Sequence, residues 1–300
     1  MLTMDRLVEI SLVSHKIISY LSFRETIYFM RCCASYFYAV KYVNSHVNRA
    51  IFVAANMQHC KRGVAFLKFY HLHCNAFYIH AMCRKPLSNI GVQHLVKLNI
   101  ITLDLTGCTK IDDNGLFYLS GVQYLQSLVL TRCNITDNGL LHLSGSQNLN
   151  WLYVSNCGIT DEGLEHLCGL QNLSVLGLRG CKGISGIGLQ HFKTDCKLSR
   201  LELQPSVTDD GLRHISNLSN LARLEIENNS RISDFGLSYI SQLPKLKSLA
   251  LHHNGQLTFT GLRSFNKPNS TLTYVSLPNI SYSEEEQKII ESVPYFFVVS

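Results

Sequence analysis

Charge is scarce in this chain. Only 16% of its 300 residues are Asp, Glu, Lys or Arg, against 46% hydrophobic, and tryptophan occurs once. That balance excludes a solvated, disordered chain and calls for a packed core. No run of about 18 apolar, uncharged residues occurs, so no membrane-spanning helix is expected. The apolar stretch Leu7–Val13 is interrupted by Glu9 and has no small-residue cleavage site, which argues against a secretory signal. Glycine loops of the phosphate- or dinucleotide-binding kind are missing, and no nucleophile sits in a recognisable elbow or dyad. Cys60, His71, His73, Cys74, His80 and Cys83 cluster, but ten residues between Cys60 and His71 and one between His71 and His73 do not make a zinc framework. Catalysis, a cofactor and a metal are therefore not expected, and a binding role is.

The charge that exists is unevenly placed. Residues 1–90 hold eleven Lys or Arg against Asp5, Glu9 and Glu25, whereas the remaining residues hold 16 basic and 18 acidic side chains. An electrostatic partner of the N-terminal third would be acidic, and the alternative is a solvated basic face. Contact of that face with nucleic acid or an anionic membrane is a weaker expectation. The eleven cysteines are also ordered. Cys108, Cys133, Cys157 and Cys181 recur at intervals of 25, 24 and 24 residues. Such spacing reads as small buried residues at one turn of successive units, compatible with a reducing compartment, cytoplasmic or nuclear.

The dominant pattern is a Gly-Leu pair, or close variant, at Gly91, Gly115, Gly139, Gly163, Gly188, Gly211, Gly236 and Gly261, with intervals of 24, 24, 24, 25, 23, 25 and 25 residues. A fixed period in the twenties with leucines at set offsets marks a solenoid, whose units bury their apolar faces only against one another. In Leu125–Leu143, alternation about Leu128 and Leu130 predicts a short strand. Thr136-Asp137 offer oxygens to cap a helix near Gly139, and Leu140 and Leu143 give that helix its buried side. Ser283-Glu284-Glu285-Glu286 predicts a further helix start, and residues 281–300 are expected to cap the end of the core. His142, His166, His191 and His214 recur after the Gly-Leu pairs as convex-face helix residues.

Residues flanking the two core positions of each strand point onto the concave face. There Trp151 and Tyr153 adjoin Arg179, Arg200, Glu202, Arg223 and Glu225. Aromatic and Arg clusters concentrate binding energy, so these seven are the candidate substrate-binding residues. Their mixed signs suit a protein surface better than a nucleic-acid backbone. The alternative is that Trp151 packs against a neighbouring loop.

Leu-x-x-Leu-x-Leu-x-x-Cys followed by Ile-Thr-Asp-x-Gly-Leu, as at Leu149–Leu167, closely resembles the cysteine-containing leucine-rich repeats. The resemblance covers about residues 77–280 and implies an α/β solenoid, with parallel strands on the concave face and helices on the convex one. Residues 9–40 lack the repeat. Ile10, Val13, Ile17, Ile18 and Leu21, then Ile27, Met30 and Cys33-Ala34, are spaced as on helices. Ile17-Ile18-Ser19-Tyr20-Leu21 and Cys32-Cys33-Ala34-Ser35-Tyr36-Phe37 resemble segments of an F-box, with Glu9-Ile10 in place of its opening Leu-Pro. This resemblance implies a small all-α F-box-like module over 6–45 and a helical linker or N-terminal cap over 46–76. It further implies a substrate-recognition adaptor of a Skp–cullin–F-box ubiquitin ligase. Val13, Ile17, Ile18, Leu21, Ile27 and Phe37 would contact the acidic Skp-type adaptor, and the repeats would hold the substrate. No RING-type zinc pattern occurs, so the charged enzyme would be recruited through the complex. The alternative is a repeat scaffold without a ligase role, including a bacterial effector acting in the host cytosol.

Overall fold

The computed structural model describes residues 41–42, 49–52, 76–80, 87–96, 100–203, 206–227, 229–252, 257–265, 271–276 and 283. The adaptor-facing set Val13, Ile17, Ile18, Leu21, Ile27 and Phe37, and the C-terminal cap beyond Ser283, lie outside these residues.

Among the described residues, eleven strands form one sheet in chain order. They are β1 (Lys41–Tyr42), β2 (Arg49–Phe52), β3 (Ala76–His80), β4 (Ile100–Asp104), β5 (Ser127–Val129), β6 (Trp151–Tyr153), β7 (Val175–Gly177), β8 (Arg200–Leu203), β9 (Arg223–Glu227), β10 (Ser248–His252) and β11 (Tyr274–Ser276). β1 runs antiparallel to β2, and every later neighbour pair is parallel. The sheet thus begins well before the Gly-Leu period does. β2 falls in the stretch read from sequence as a helical linker. β1 falls within 6–45, read as all-α.

Between strands the chain returns through short helices: α1 (Asn89–Leu95), α2 (Asp113–Leu119), α3 (Asp137–Leu141), α4 (Asp161–Leu164), α5 (Asp209–Ile215), α6 (Asp234–Ile240) and α7 (Phe259–Arg263). Such helices are too short to persist alone and are held by the leucines they bury. The strand pairs Leu103/Leu105, Leu128/Leu130, Leu152/Val154, Leu176/Leu178, Leu201/Leu203 and Leu224/Ile226 are fully buried. They meet helix residues Leu116, Leu140, Leu164, Leu189, Leu212 and Leu237 in one continuous core.

The Gly-Leu period has a steric cause. In α2 to α6 the first-turn aspartate reaches forward to the next unit. Asp137 accepts hydrogen bonds from the backbone N–H of Thr160 at 2.8 Å and from its hydroxyl at 2.6 Å. Asp113 does the same for Thr136, Asp209 for Ser233 and Asp234 for Thr258. The carboxylate occupies the space that a Cβ would fill on the next glycine. A Cβ on Gly163 would lie 2.2 Å from Asp137 Oδ1. Thr136 donates its hydroxyl to Asp113 and makes no side-chain cap on its own helix, contrary to the expectation from sequence. Thr160, Thr208, Ser233 and Thr258 do accept from their own helices.

One unit departs. Gly186 stands where Asp is usual, and Ile187–His191 is a 3-10 turn. With no carboxylate to place, the backbone itself moves in, so a Cβ on Gly211 would meet Ser185 O at 2.0 Å.

The cysteines close the turn after each strand. Gly107, Arg132, Asn156 and Gly180 all have positive φ at that turn, one residue before the cysteine. The thiols of Cys133, Cys157 and Cys181 donate to Leu105 O, Leu130 O and Val154 O of the preceding unit at 3.2, 3.2 and 3.1 Å. Burial pushes these thiols up, that of Cys157 to about 11, which keeps the donating proton in place. Asn229 takes over the duty in a later unit, donating to Val207 O at 2.7 Å and accepting from Arg231 N–H.

Candidate functional site

Parallel strands in register stack equivalent residues side by side, so the open face of the sheet is organised in rows about 4.8 Å per strand. One row runs Trp151, Val175, Arg200, Arg223, Ser248, Tyr274. The next runs Tyr153, Gly177, Glu202, Glu225, Ala250, Ser276. Register thus sets Arg beside Arg and Glu beside Glu, an unfavourable arrangement along each row. The compensation runs between rows.

Arg179, just past β7, serves three carboxylates at once. Its Nε lies 3.0 Å from Glu202 Oε2, its Nη1 lies 3.1 Å from Glu227 Oε1, and its Nη2 bonds Glu225 Oε2. The Nε contact is an ion pair without hydrogen-bond geometry. Arg200 Nη2 sits 2.7 Å from Glu202 Oε1 and 3.1 Å from Glu225 Oε1, and Arg223 Nε donates to that same Glu225 oxygen at 2.6 Å. The cluster is layered. The Glu202 and Glu225 side chains are 7% exposed, whereas those of Arg179, Arg200 and Arg223 are 33%, 34% and 50% exposed. A buried carboxylate is costly unless paired, so the guanidiniums above are a structural necessity as well as a surface.

Tyr153 leans over the next strand toward this cluster. A Cβ on Gly177 would lie 2.2 Å from its ring, so the glycine gives the ring its place. Burial pushes the Tyr153 phenol up, and the neighbouring Glu202 charge adds to the shift. Trp151 is 53% exposed on the same face.

The structure therefore brings Arg179, Arg200, Glu202, Arg223 and Glu225 into one ion-paired cluster with Tyr153 beside it, and sets Trp151 two strands from Arg200. Alternation places Glu227 and Gly177 on this face as well, but the candidate set leaves both out, although Glu227 pairs with Arg179 and Gly177 gives the Tyr153 ring its place. Among the described residues no group of His, Cys, Asp or Glu could hold a metal ion, and no helix is long and apolar enough to cross a membrane.

A family model described as Leucine Rich repeat matches residues 93–120, 123–144 and 145–168. These three units are leucine-rich repeats. The parallel-sheet and helix solenoid around them has the same architecture. No curated protein is similar enough in sequence to match. Among solved structures, an internalin (inlF) of Listeria monocytogenes is 18% identical with a TM-score of 0.44, over 84% of this chain and 80% of its own. An internalin C2 (inlC2) of the same organism is 27% identical with a TM-score of 0.35, over 64% of this chain and 76% of its own. At that level neither likeness says what this chain binds.

These comparisons overturn the expectation of a ubiquitin-ligase adaptor, and with it the Skp-type and cullin partners. The family match lies wholly in the repeats and leaves residues 6–45 unmatched. The F-box resemblance rested on two short segments, Ile17–Leu21 and Cys32–Phe37. The part of 6–45 that is described, Lys41–Tyr42, is a strand paired into the repeat sheet. Leucine-rich repeats are an architecture typical of non-catalytic interaction scaffolds.

Proposed function

We propose that the chain is a leucine-rich-repeat interaction scaffold that holds a protein partner on the open face of its sheet, centred on Trp151, Tyr153 and the Arg179–Arg200–Arg223 cluster. The repeats are proposed to span 77–280. The observation that carries this reading is Trp151: the chain's single tryptophan lies half-exposed two strands from a pre-built ion-pair cluster on the same face. A large aromatic left in water gains the most from being covered, and neighbouring arginines already held in place lose little entropy on binding.

Photo-crosslinking tests it. A crosslinking residue introduced at Trp151 on the sheet face, and separately at exposed Phe235 on α6, is exposed to extract from the native source. The expected result is a discrete adduct from position 151 and none from 235. Adducts from 235 alone, or equal labelling at both, would assign binding elsewhere. Combining Trp151→Ala with Arg200→Ala should abolish capture, with thermal unfolding measured alongside because Arg200 also pairs buried Glu202 and Glu225.

A further inference from the structure

The cluster sets three guanidiniums against three carboxylates, so its charges balance, but the N–H donors of two of its guanidiniums are only partly used. Arg179 commits all three nitrogens, one to each of Glu202, Glu225 and Glu227. Arg200 engages carboxylates through Nη2 only, and Arg223 through Nε only. Arg200 Nη1 and both terminal nitrogens of Arg223 thus have no partner among the described residues. These two arginines are direct neighbours in register on β8 and β9, and a single oxygen, Glu225 Oε1, bridges them. Two like charges are held adjacent by a buried carboxylate that solvent scarcely reaches, with spare N–H donors on the exposed side. A guanidinium offers five donors in a planar fork matched to a carboxylate.

Along this row, from Trp151 through Val175, Arg200, Arg223 and Ser248 to Tyr274, the side chains are aromatic, aliphatic, cationic, cationic, hydroxyl and aromatic, with no acidic member. Trp151 and Arg200 stand two strands apart, about 10 Å, which an extended peptide covers in about three residues.

We infer that the partner presents an extended acidic segment. One of its carboxylates takes the free donors of Arg200 and Arg223, and an apolar side chain about three positions away covers Trp151. This rests on the sheet-face reading above and specifies its chemistry. Local charge complementarity selects the occupant: Arg200 and Arg223 stand more exposed, above Glu202 and Glu225, which are buried beneath them.

Selection of a random-peptide phage library on the full chain tests it, with recovered peptides remade and their affinities measured. The expected peptides carry Asp or Glu spaced from an aromatic or aliphatic residue. Changing the acidic residue to its amide, or changing Arg223→Gln, should each weaken binding about tenfold, the loss of charge-assisted hydrogen bonds. Arg223→Lys should recover only part, because a point charge lacks the fork. Arg223 is the right position to change, since Glu225 keeps Arg179 and Arg200 and the fold is spared; thermal unfolding of the variant checks this. Peptides that require Trp151 but carry no acidic residue, or that favour Lys and Arg, would overturn the inference and leave the sheet-face reading standing. Peptides indifferent to Trp151, Arg200 and Arg223, or no enrichment, would also overturn it. The sheet-face reading would then stand or fall on the crosslinking result.

Discussion

The two sides of this solenoid are built on opposite rules. On the helix side the same device recurs: an aspartate bonds the next unit's Ser or Thr, and a glycine makes room for the carboxylate. On the open sheet face almost nothing recurs. Neighbouring strands present Ser127, Trp151, Val175 and Arg200 at one and the same position. Chemistry repeated in every unit serves the stacking of units, and chemistry found in one place serves something other than stacking. Substitutions on the helix side should therefore cost stability and spare binding, and those on the sheet face should do the reverse.

The largest effect is expected where the repeated device is replaced by backbone. Gly211→Ala drives a Cβ into Ser185 O, which cannot swing aside as a carboxylate can. A loss of about 3 kcal/mol is expected, read by denaturant unfolding. Next comes the cysteine turn. The Cys157 thiol is held protonated to about 11, from an ordinary value of 9.0, by burial. Its folded value is raised, so its contribution is complete below pH 9 and is lost as pH rises toward 11. That loss is about 2–3 kcal/mol, visible as a fall in Tm across this window. Cys157→Ala should flatten the fall.

Arg179 joins the two rules, because it supports buried carboxylates while standing on the binding face. Arg179→Met should cost about 2 kcal/mol, below the range for a fully buried pair since its side chain is one-third exposed. It should weaken partner binding as well. A smaller effect tests the ladder itself. Gly163→Ala displaces Asp137 and should cost about 1–2 kcal/mol in the native background. In an Asp137→Ala background the same change should be neutral or slightly stabilising, because alanine is the better helix former. A double-mutant cycle by thermal unfolding measures the coupling, and additive costs would remove the steric explanation of the Gly-Leu period. Smallest of all is Arg132→Gly, which relieves a positive φ and should gain less than about 1 kcal/mol.

Much of this was legible in the chain. The strand pairs such as Leu128/Leu130 and Leu152/Val154, the helices after each Thr-Asp, and the shared position of Cys133, Cys157 and Cys181 follow from local periodicity. So does the row containing Trp151, Arg200 and Arg223, since alternation alone assigns side chains to a face. What sequence could not supply was the partnering. Thr136 reads as a cap for its own helix, but its hydroxyl goes to Asp113, 23 residues earlier. Arg179 finds Glu225 across 46 residues. Those distances are set by unit stacking and have no local signature. The early strands β1 and β2 lie ahead of the repeats expected over 77–280, so the period gave no notice that the sheet extends to them. Two short N-terminal likenesses were given a functional meaning that the family match did not uphold.

The division between the two sides is tested most directly by the affinity of the crosslinked partner for Trp151→Ala, measured beside that variant's Tm. A fall of about tenfold or more in affinity with the Tm unchanged is expected, as for a central aromatic anchor. Unchanged affinity, or a loss explained by an equal fall in Tm, would contradict the assignment of binding to the sheet face.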